Sequence, residues 1–142
     1  MKLKAKIFLT IGDDLLFSIK RSPLSLEKNR KLELVGGGIE PGETPIEGLI
    51  RELAEEESSG TLAGKASLEA LQGRRVLVGD EPHFIYDMTI SRADIDQIRM
   101  SDTESYGFQL IHKSDIADDP VRFTPKTLGI FRALGLIPPC SS

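Results

Sequence analysis

Between residues 36 and 60 the chain reads GGGIEPGETPIEGLIRELAEEESSG: three glycines, a short acidic turn, and a helix crowded with glutamates. Glycine permits backbone angles and close approaches that side chains would block, so the glycine run commits the chain to a tight turn into the helix. The helix carries its own boundary signals. Thr44 is placed to cap it, Pro45 suits its first turn, and Glu47 completes a capping box with Thr44. Ile46, Leu49, Ile50 and Leu53 recur at i, i+3, i+4 and i+7. At about 100° per residue they form one stripe facing a core. Glu57 falls on that stripe, which predicts that the helix ends there.

The acidic side chains point elsewhere. Glu52, Glu55 and Glu56 are neighbours on the helix surface, and their mean direction lies roughly 120° from the apolar stripe. Like charges this close cost stability. A bound cation offsets that cost, since Mg²⁺ takes oxygen ligands and keeps several waters. Taken alone, RELAEEE reads as an ordinary solvated acidic face. The glycine run in front of it shifts the balance, because it allows a ligand close to the backbone. Glu43 precedes the cap, and Arg51 lies on the helix where it reaches back to Glu43 and pins loop to helix. Glu47, one turn before Arg51, is the alternative partner.

Around this segment the chain alternates. Leu3, Ala5, Ile7, Leu9 and Ile11 have the period of a half-buried strand, Gly12, Asp13 and Asp14 form a turn, and residues 15–20 return as a hairpin. Residues 22–31 read as a loop and residues 31–35 as a short strand. Further strands are expected at residues 67–72, 75–78, 84–90 and 106–112, with a turn over residues 79–82. Ser91 caps a short helix running to about Arg99. Thr124 and Pro125 open a final helix with Leu128, Phe131 and Leu134 on one face, closed by Gly135. Interleaved strands and helices predict an α/β protein, a mixed sheet with helices packed on its faces.

At 142 residues the chain is one domain's worth, and 39% hydrophobic residues can build one sizeable core. A net charge of −4 argues against nucleic-acid polymers, which want a basic face. It leaves small phosphorylated substrates open, because a metal supplies positive charge. The single cysteine, Cys140, forms no internal disulfide and fits a reducing cytoplasm. No apolar run approaches the roughly 20 residues that span a bilayer, so no membrane partner is expected. The N-terminus reads as a strand and not as a signal peptide. The sequence does not fix the oligomeric state; a homodimer is compatible with it.

The glycine-to-glutamate segment resembles the Nudix box, the signature of hydrolases acting on a nucleoside diphosphate linked to another moiety. That pattern is G, five residues, E, seven residues, then R-E-U-x-E-E-x-G-U, with U a bulky aliphatic. Gly37, Glu43, Arg51, Glu52, Leu53, Glu55 and Glu56 match it. Ser58 stands in place of the last glycine, Ser59 in place of the final aliphatic, and Val35 in place of a frequent lead-in proline. Gly60 is positioned to supply the left-handed turn two residues later. The box covers residues 37–59.

The resemblance implies an α/β/α sandwich with the box as a loop-helix-loop. It spans residues 1–136, with 137–142 as a loose tail. It implies that Glu52, Glu55 and Glu56 hold Mg²⁺ or Mn²⁺, that Glu43 and Arg51 support them, and that Gly37 and Gly38 let the backbone approach the bound group. It also implies a further carboxylate outside the box, with Glu104 the candidate and Asp102 the alternative. Arg21 stands where many relatives have an arginine, and is a candidate phosphate contact. Phe84, Tyr106 and Phe108 are read as core or as a stacking surface, and His83 and His112 as structural or surface residues. The implied reaction is hydrolysis of a diphosphate linkage, with a nucleoside triphosphate as the default substrate by analogy. No second motif of the coenzyme A, NADH or GDP-mannose subgroups is present, and Pro82 lies too far from the box for the ADP-ribose pattern. The rival reading is a binding module that senses a nucleotide or sugar nucleotide without cleaving it; the intact glutamates argue against it and Ser58 keeps it open.

Overall fold

The computed structural model describes residues 3–139. Strands β1 (Lys4–Ile11) and β2 (Asp14–Lys20) form the expected hairpin. Then follow β3 (Leu32–Glu33), β4 (Val35–Gly38), α1 (Pro45–Glu56), α2 (Thr61–Leu68), β5 (Arg74–Val78), β6 (Glu81–Thr89), α3 (Arg92–Gln97), β7 (Ser105–His112) and α4 (Pro125–Ala133). Among the described residues seven strands join one mixed sheet in the order β3-β2-β1-β6-β5, with β4 also on β1 and β7 also on β2. Only the β1–β6 pair is parallel among them.

β1 organises the molecule. Its first half, Lys4 to Ile7, pairs with β4, and its last residues, Leu9 to Ile11, pair with β2. Two strands thus share one side of β1 and diverge from each other. Its side chains alternate between two cores, as a strand buried on both faces requires. Ala5, Ile7 and Leu9 pack with Leu49 and Leu53 of α1 and with Leu62 and Ala66 of α2. Phe8 faces the other way, toward Phe17, Phe123 and Ile130 and Phe131 of α4. Phe123 meets Phe17 and Phe131 edge-on at 5.1 and 5.0 Å, the arrangement aromatic quadrupoles prefer. The layers are helix, sheet, helix.

Several expectations change. The glycines are not a turn: Gly36, Gly37 and Gly38 lie in β4, against Lys6, Ala5 and Lys4 of β1. Gly36 has φ +128°, and a Cβ there would stand 2.2 Å from the Ala5 carbonyl oxygen, so the two backbones pass at a distance only glycine permits. The strand expected over residues 31–35 is therefore two, broken at Leu34. The strand expected over residues 67–72 does not form: Ser67 and Leu68 end helix α2, and residues 69–72 carry no regular structure. Leu62 and Ala66, one turn apart, bury themselves beneath α1, and the Glu57 carboxylate accepts from the Leu62 N–H at 3.1 Å. The expected turn over residues 79–82 shortens, because β6 begins at Glu81. In α4 the fully buried residues are Thr127, Ile130 and Phe131, while Leu128 and Leu134 are partly buried. Ile137, expected at the start of a loose tail, is buried in the second core. Cys140 lies outside the described residues.

Candidate active site

The α1 N-terminus forms as its sequence predicts. The Thr44 hydroxyl accepts from the Glu47 N–H, and Glu47 accepts from the Thr44 N–H at 2.8 Å. Glu47 is thereby occupied, and Arg51 takes the other partner. Its Nε and Nη2 donate to the two Glu43 oxygens at 2.8 and 3.0 Å, a fork-to-carboxylate pair. Nη2 also donates to the Gly38 carbonyl at 2.8 Å. One guanidinium thus ties β4, the acidic turn and α1 together. Arg51 and the Glu40 N–H hold the Glu43 carboxyl below its ordinary range. Gly48 leaves room for this: a Cβ there would lie 3.3 Å from Glu43 Oε1.

With the loop so fixed, Glu52 and Glu56 face the same cleft as the three glycines. A Cβ on Gly37 would come 2.5 Å from the Glu52 carboxylate, so this glycine makes the space that the carboxylate fills. Glu56 is buried, and its Oε2 accepts from the Gly36 N–H at 2.9 Å. Burial pushes its carboxyl up to about 8, against the opposing pull of Lys6 and the Gly36 N–H. Glu33 and Glu52 push in the same direction as burial. A carboxylate held in such surroundings gains from a cation placed against it.

Glu55 does not line the cleft. Its half-exposed side chain lies 3.3 Å from Arg51 Nη1, which also donates to Glu52 at 3.1 Å, so Arg51 touches both carboxylates. Among the described residues no group of three acidic, histidine or cysteine side chains is gathered to hold a metal ion. The expected convergence of Glu52, Glu55 and Glu56 is therefore reduced to two carboxylates and an open cleft. That donor set still suits a hard divalent cation. Mg²⁺ is commonly held by one or two carboxylates, the rest of its shell being water and substrate phosphate.

Glu104 lies across the chain from the box and lines the same cleft, about 570 Å³ in volume. The β2 end places it: the Arg21 N–H donates to the Glu104 carbonyl at 3.0 Å. Arg21 itself does not line the cleft. Its guanidinium donates to the Asp102 carbonyl at 2.8 Å and lies 5.3 Å from the Tyr106 ring centre, so it fixes the 102–104 segment from behind. Arg30 covers Tyr106 at 4.4 Å, and the Tyr106 hydroxyl donates to Asn29. Tyr106 therefore clamps the 22–31 loop, and Phe84 and Phe108 pack against the first core. His83 is fully buried, and burial lowers its pKa; His112 caps a short turn through its contacts with Ser114.

The sequence reading missed the lysines. Lys4, Lys6, Lys20, Lys28 and Lys126 line the cleft, from four separate segments. Lys4 and Lys6 occupy the polar phase of β1, opposite Gly38 and Gly36, and that alternation was their one visible signal. Glu57 was also underrated. It is buried, and its carboxylate accepts from the N–H groups of Ser59, Leu62 and Arg99 at 2.9, 3.1 and 2.9 Å, and from the Ser59 hydroxyl. Burial raises its pKa, but these donors outweigh burial and leave it lowered. Ser58 replaces the expected helix-ending glycine without harm. Glu57 ends α1 in extended backbone, and the Ser58 N–H donates to the Arg99 carbonyl at 2.7 Å. Gly60 does take the left-handed conformation, φ +80°, but there it begins α2.

The comparisons bear on the family and the fold. The family model described as NUDIX domain matches residues 3–93. No curated protein matches the chain in sequence. Among solved structures, the E. coli ORF135 protein is 15% identical with a TM-score of 0.59, covering 95% of this chain and 89% of that one. A NUDIX family hydrolase from Clostridium perfringens is 21% identical with a TM-score of 0.59, covering 95% and 97%. A bifunctional NMN adenylyltransferase/ADP ribose pyrophosphatase from Francisella tularensis, complexed with AMP and a manganese ion, is 17% identical with a TM-score of 0.67. It is matched over 94% of this chain but only 40% of its own length. These structural likenesses establish the fold, and the family model, which covers well over half the chain and contains the whole braced loop-helix, establishes that the chain belongs to the NUDIX family and is a Nudix-type hydrolase.

Proposed function

We propose that this protein hydrolyses the diphosphate linkage of a nucleoside diphosphate derivative, a nucleoside triphosphate in the leading case, with Mg²⁺ or Mn²⁺ as cofactor. One observation carries the reading: Arg51 braces the acidic turn so that Glu52 and Glu56 share a lysine-lined cleft with Gly36, Gly37 and Gly38. Glu52 and Glu56 would hold the cation. When bound, it supplies positive charge against the diphosphate oxygens and acidifies the attacking water.

The chain's own residues do the rest. Gly37 keeps the Glu52 carboxylate seated, and the Gly36 N–H orients Glu56. The lysines offset substrate charge and orient the phosphates. Three carboxylates outside the box line the cleft, Glu27, Glu33 and Glu104; Glu33 pairs with Lys20, and Glu104 is assigned as the base. It accepts the proton of the water whose oxygen bonds to phosphorus, while the bridging P–O bond breaks and its electron pair leaves with the other phosphate. Two phosphorylated products and one proton result.

The binding-module reading rested on Ser58, and Ser58 sits beyond both cleft carboxylates in a hydrogen-bonded helix end. The test is a panel of nucleoside triphosphates, dinucleoside polyphosphates and nucleotide sugars, with and without Mg²⁺, followed by phosphate or pyrophosphate release. Metal-dependent turnover of at least one compound is expected. Tight binding with no turnover under any condition would establish the sensor reading instead.

A further inference from the structure

We infer that the cleft selects its substrate by phosphate content and not by nucleobase. Its ligand class is an organic polyphosphate with at least one phosphate beyond the pair that is split. This rests on the hydrolase reading above and specifies its substrate.

Two independent features of the cleft lead there. The first is what holds its cations. Lys6 Nζ lies 3.2 and 3.4 Å from the carbonyls of Gly36 and Leu34, partners that carry no formal charge. Lys126 Nζ pairs at 3.5 Å with Glu81, which lies outside the cleft. Lys20 pairs at 3.6 Å with Glu33, while Lys28 projects from the exposed 22–31 loop. Lysine ammoniums are compact point charges on flexible stems, suited to successive phosphates at varied positions. Because they come from β1, β2, a loop and α4, they are spread along the cleft. Of the five lining glutamates, Glu52 and Glu56 are committed to the cation, Glu104 to the water, and Glu33 to Lys20, while Glu27 stands on the exposed loop with Lys28. Lys6 and Lys126, whose partners are uncharged or outside the cleft, are left for phosphates beyond the scissile bond.

The second feature is what the cleft has no means to do. Base recognition wants a stacking platform, or planar amide and guanidinium groups that read an edge. No aromatic, arginine, asparagine or glutamine side chain lines the cleft among the described residues, and residues 1, 2 and 140–142 include none of these types. The chain's six phenylalanines and two tyrosines are all used elsewhere. Seven pack in or against the two cores, and Tyr106 lies beneath Arg21 and Arg30. The one hydroxyl side chain of the lining, Thr124, is spent capping α4 and donating to Thr127.

The test is calorimetric binding in Mg²⁺ to methylene-bridged, uncleavable triphosphates of adenosine, guanosine, cytidine and uridine, with inorganic tripolyphosphate and adenosine alongside. The four nucleotides are expected within about threefold of one another, and tripolyphosphate within about tenfold of them, while adenosine shows no binding. Lys28→Ala and Lys126→Ala should each weaken tripolyphosphate by about threefold to tenfold. A preference above about tenfold for one base, or adenosine binding as tightly as tripolyphosphate, overturns the inference. So does unchanged tripolyphosphate affinity in both lysine variants. Turnover is scored separately: base-selective turnover sinks this inference and leaves the hydrolase reading intact. Base-blind polyphosphate binding without turnover does the reverse.

Discussion

Replacing Glu56 by glutamine should make the metal-free protein more stable and less active at once. The side chain is buried, and burial lifts its carboxyl to about 8 from an ordinary 4.5. A raised folded value means that the native state holds a proton that the unfolded chain has already released. Between pH 4.5 and about 8 the unfolded state binds fewer protons, so this group's contribution to stability falls as pH rises. At 1.36 kcal/mol per pH unit the cost is about 3 kcal/mol at pH 7 and levels off near 5 kcal/mol above pH 8. Glutamine carries no charge and still offers an oxygen to the Gly36 N–H, so the variant should escape the cost. The assay is urea denaturation of both proteins in chelator from pH 5 to pH 8.5. Neighbouring groups titrate in opposite senses: His83, lowered mainly by burial, adds stability as pH rises through its unfolded value. The difference between wild type and Glu56→Gln is therefore the quantity to read, and it should widen steadily with pH. Millimolar Mg²⁺ should stabilise wild type, most of all at high pH, and should do little for the variant. A difference that stays flat from pH 5 to 8.5 would refute the argument that burial perturbs this carboxyl. Equal Mg²⁺ stabilisation of both proteins would refute its role as a ligand.

Five further outcomes follow from the same geometry. Gly37→Ala puts a methyl 2.5 Å from the flexible Glu52 carboxylate; it should fold but lose about a hundredfold in kcat/KM. Gly36→Ala meets the Ala5 backbone instead, and circular dichroism with thermal melting should show a destabilised fold. Arg51→Ala should lower both Tm and activity, and an unchanged melting temperature would remove its bracing role. Glu57→Ala strands the N–H groups of Leu62 and Arg99 and should cost about 2–4 kcal/mol by denaturant titration, with turnover per folded molecule largely kept. Glu104→Gln should fold normally and lose about 10²–10⁴ in kcat with KM little changed, a split that a purely structural glutamate would not give.

How legible each part was depends on the range of the interactions behind it. The α1 helix was readable to the residue: its cap, its apolar stripe and its end at Glu57 depend on neighbours within two turns. For Arg51 the sequence left two partners, Glu43 and Glu47; the structure gives Glu47 to the capping box and Arg51 to Glu43. Helix α2 was missed because TLAGKASL has little periodicity of its own; its buried face is set by α1, and one of its first N–H groups is satisfied by Glu57. Arg21 was placed in the site by position along the chain, and the structure turns it toward Asp102 and Tyr106.

The amino-acid order alone determined the capped helix and its apolar stripe, since capping and periodicity act over one or two helical turns. Tertiary structure decided which carboxylates share a cleft. Glu52 and Glu56 meet β4, whereas Glu55 stays outside the cleft, and Glu104 arrives from nearly fifty residues downstream. It also decided that lysines from β1, β2, a loop and α4 line that cleft. No local pattern encodes such a meeting, because it depends on β1 pairing with β2 at one end and β4 at the other, and only folding brings those strands together.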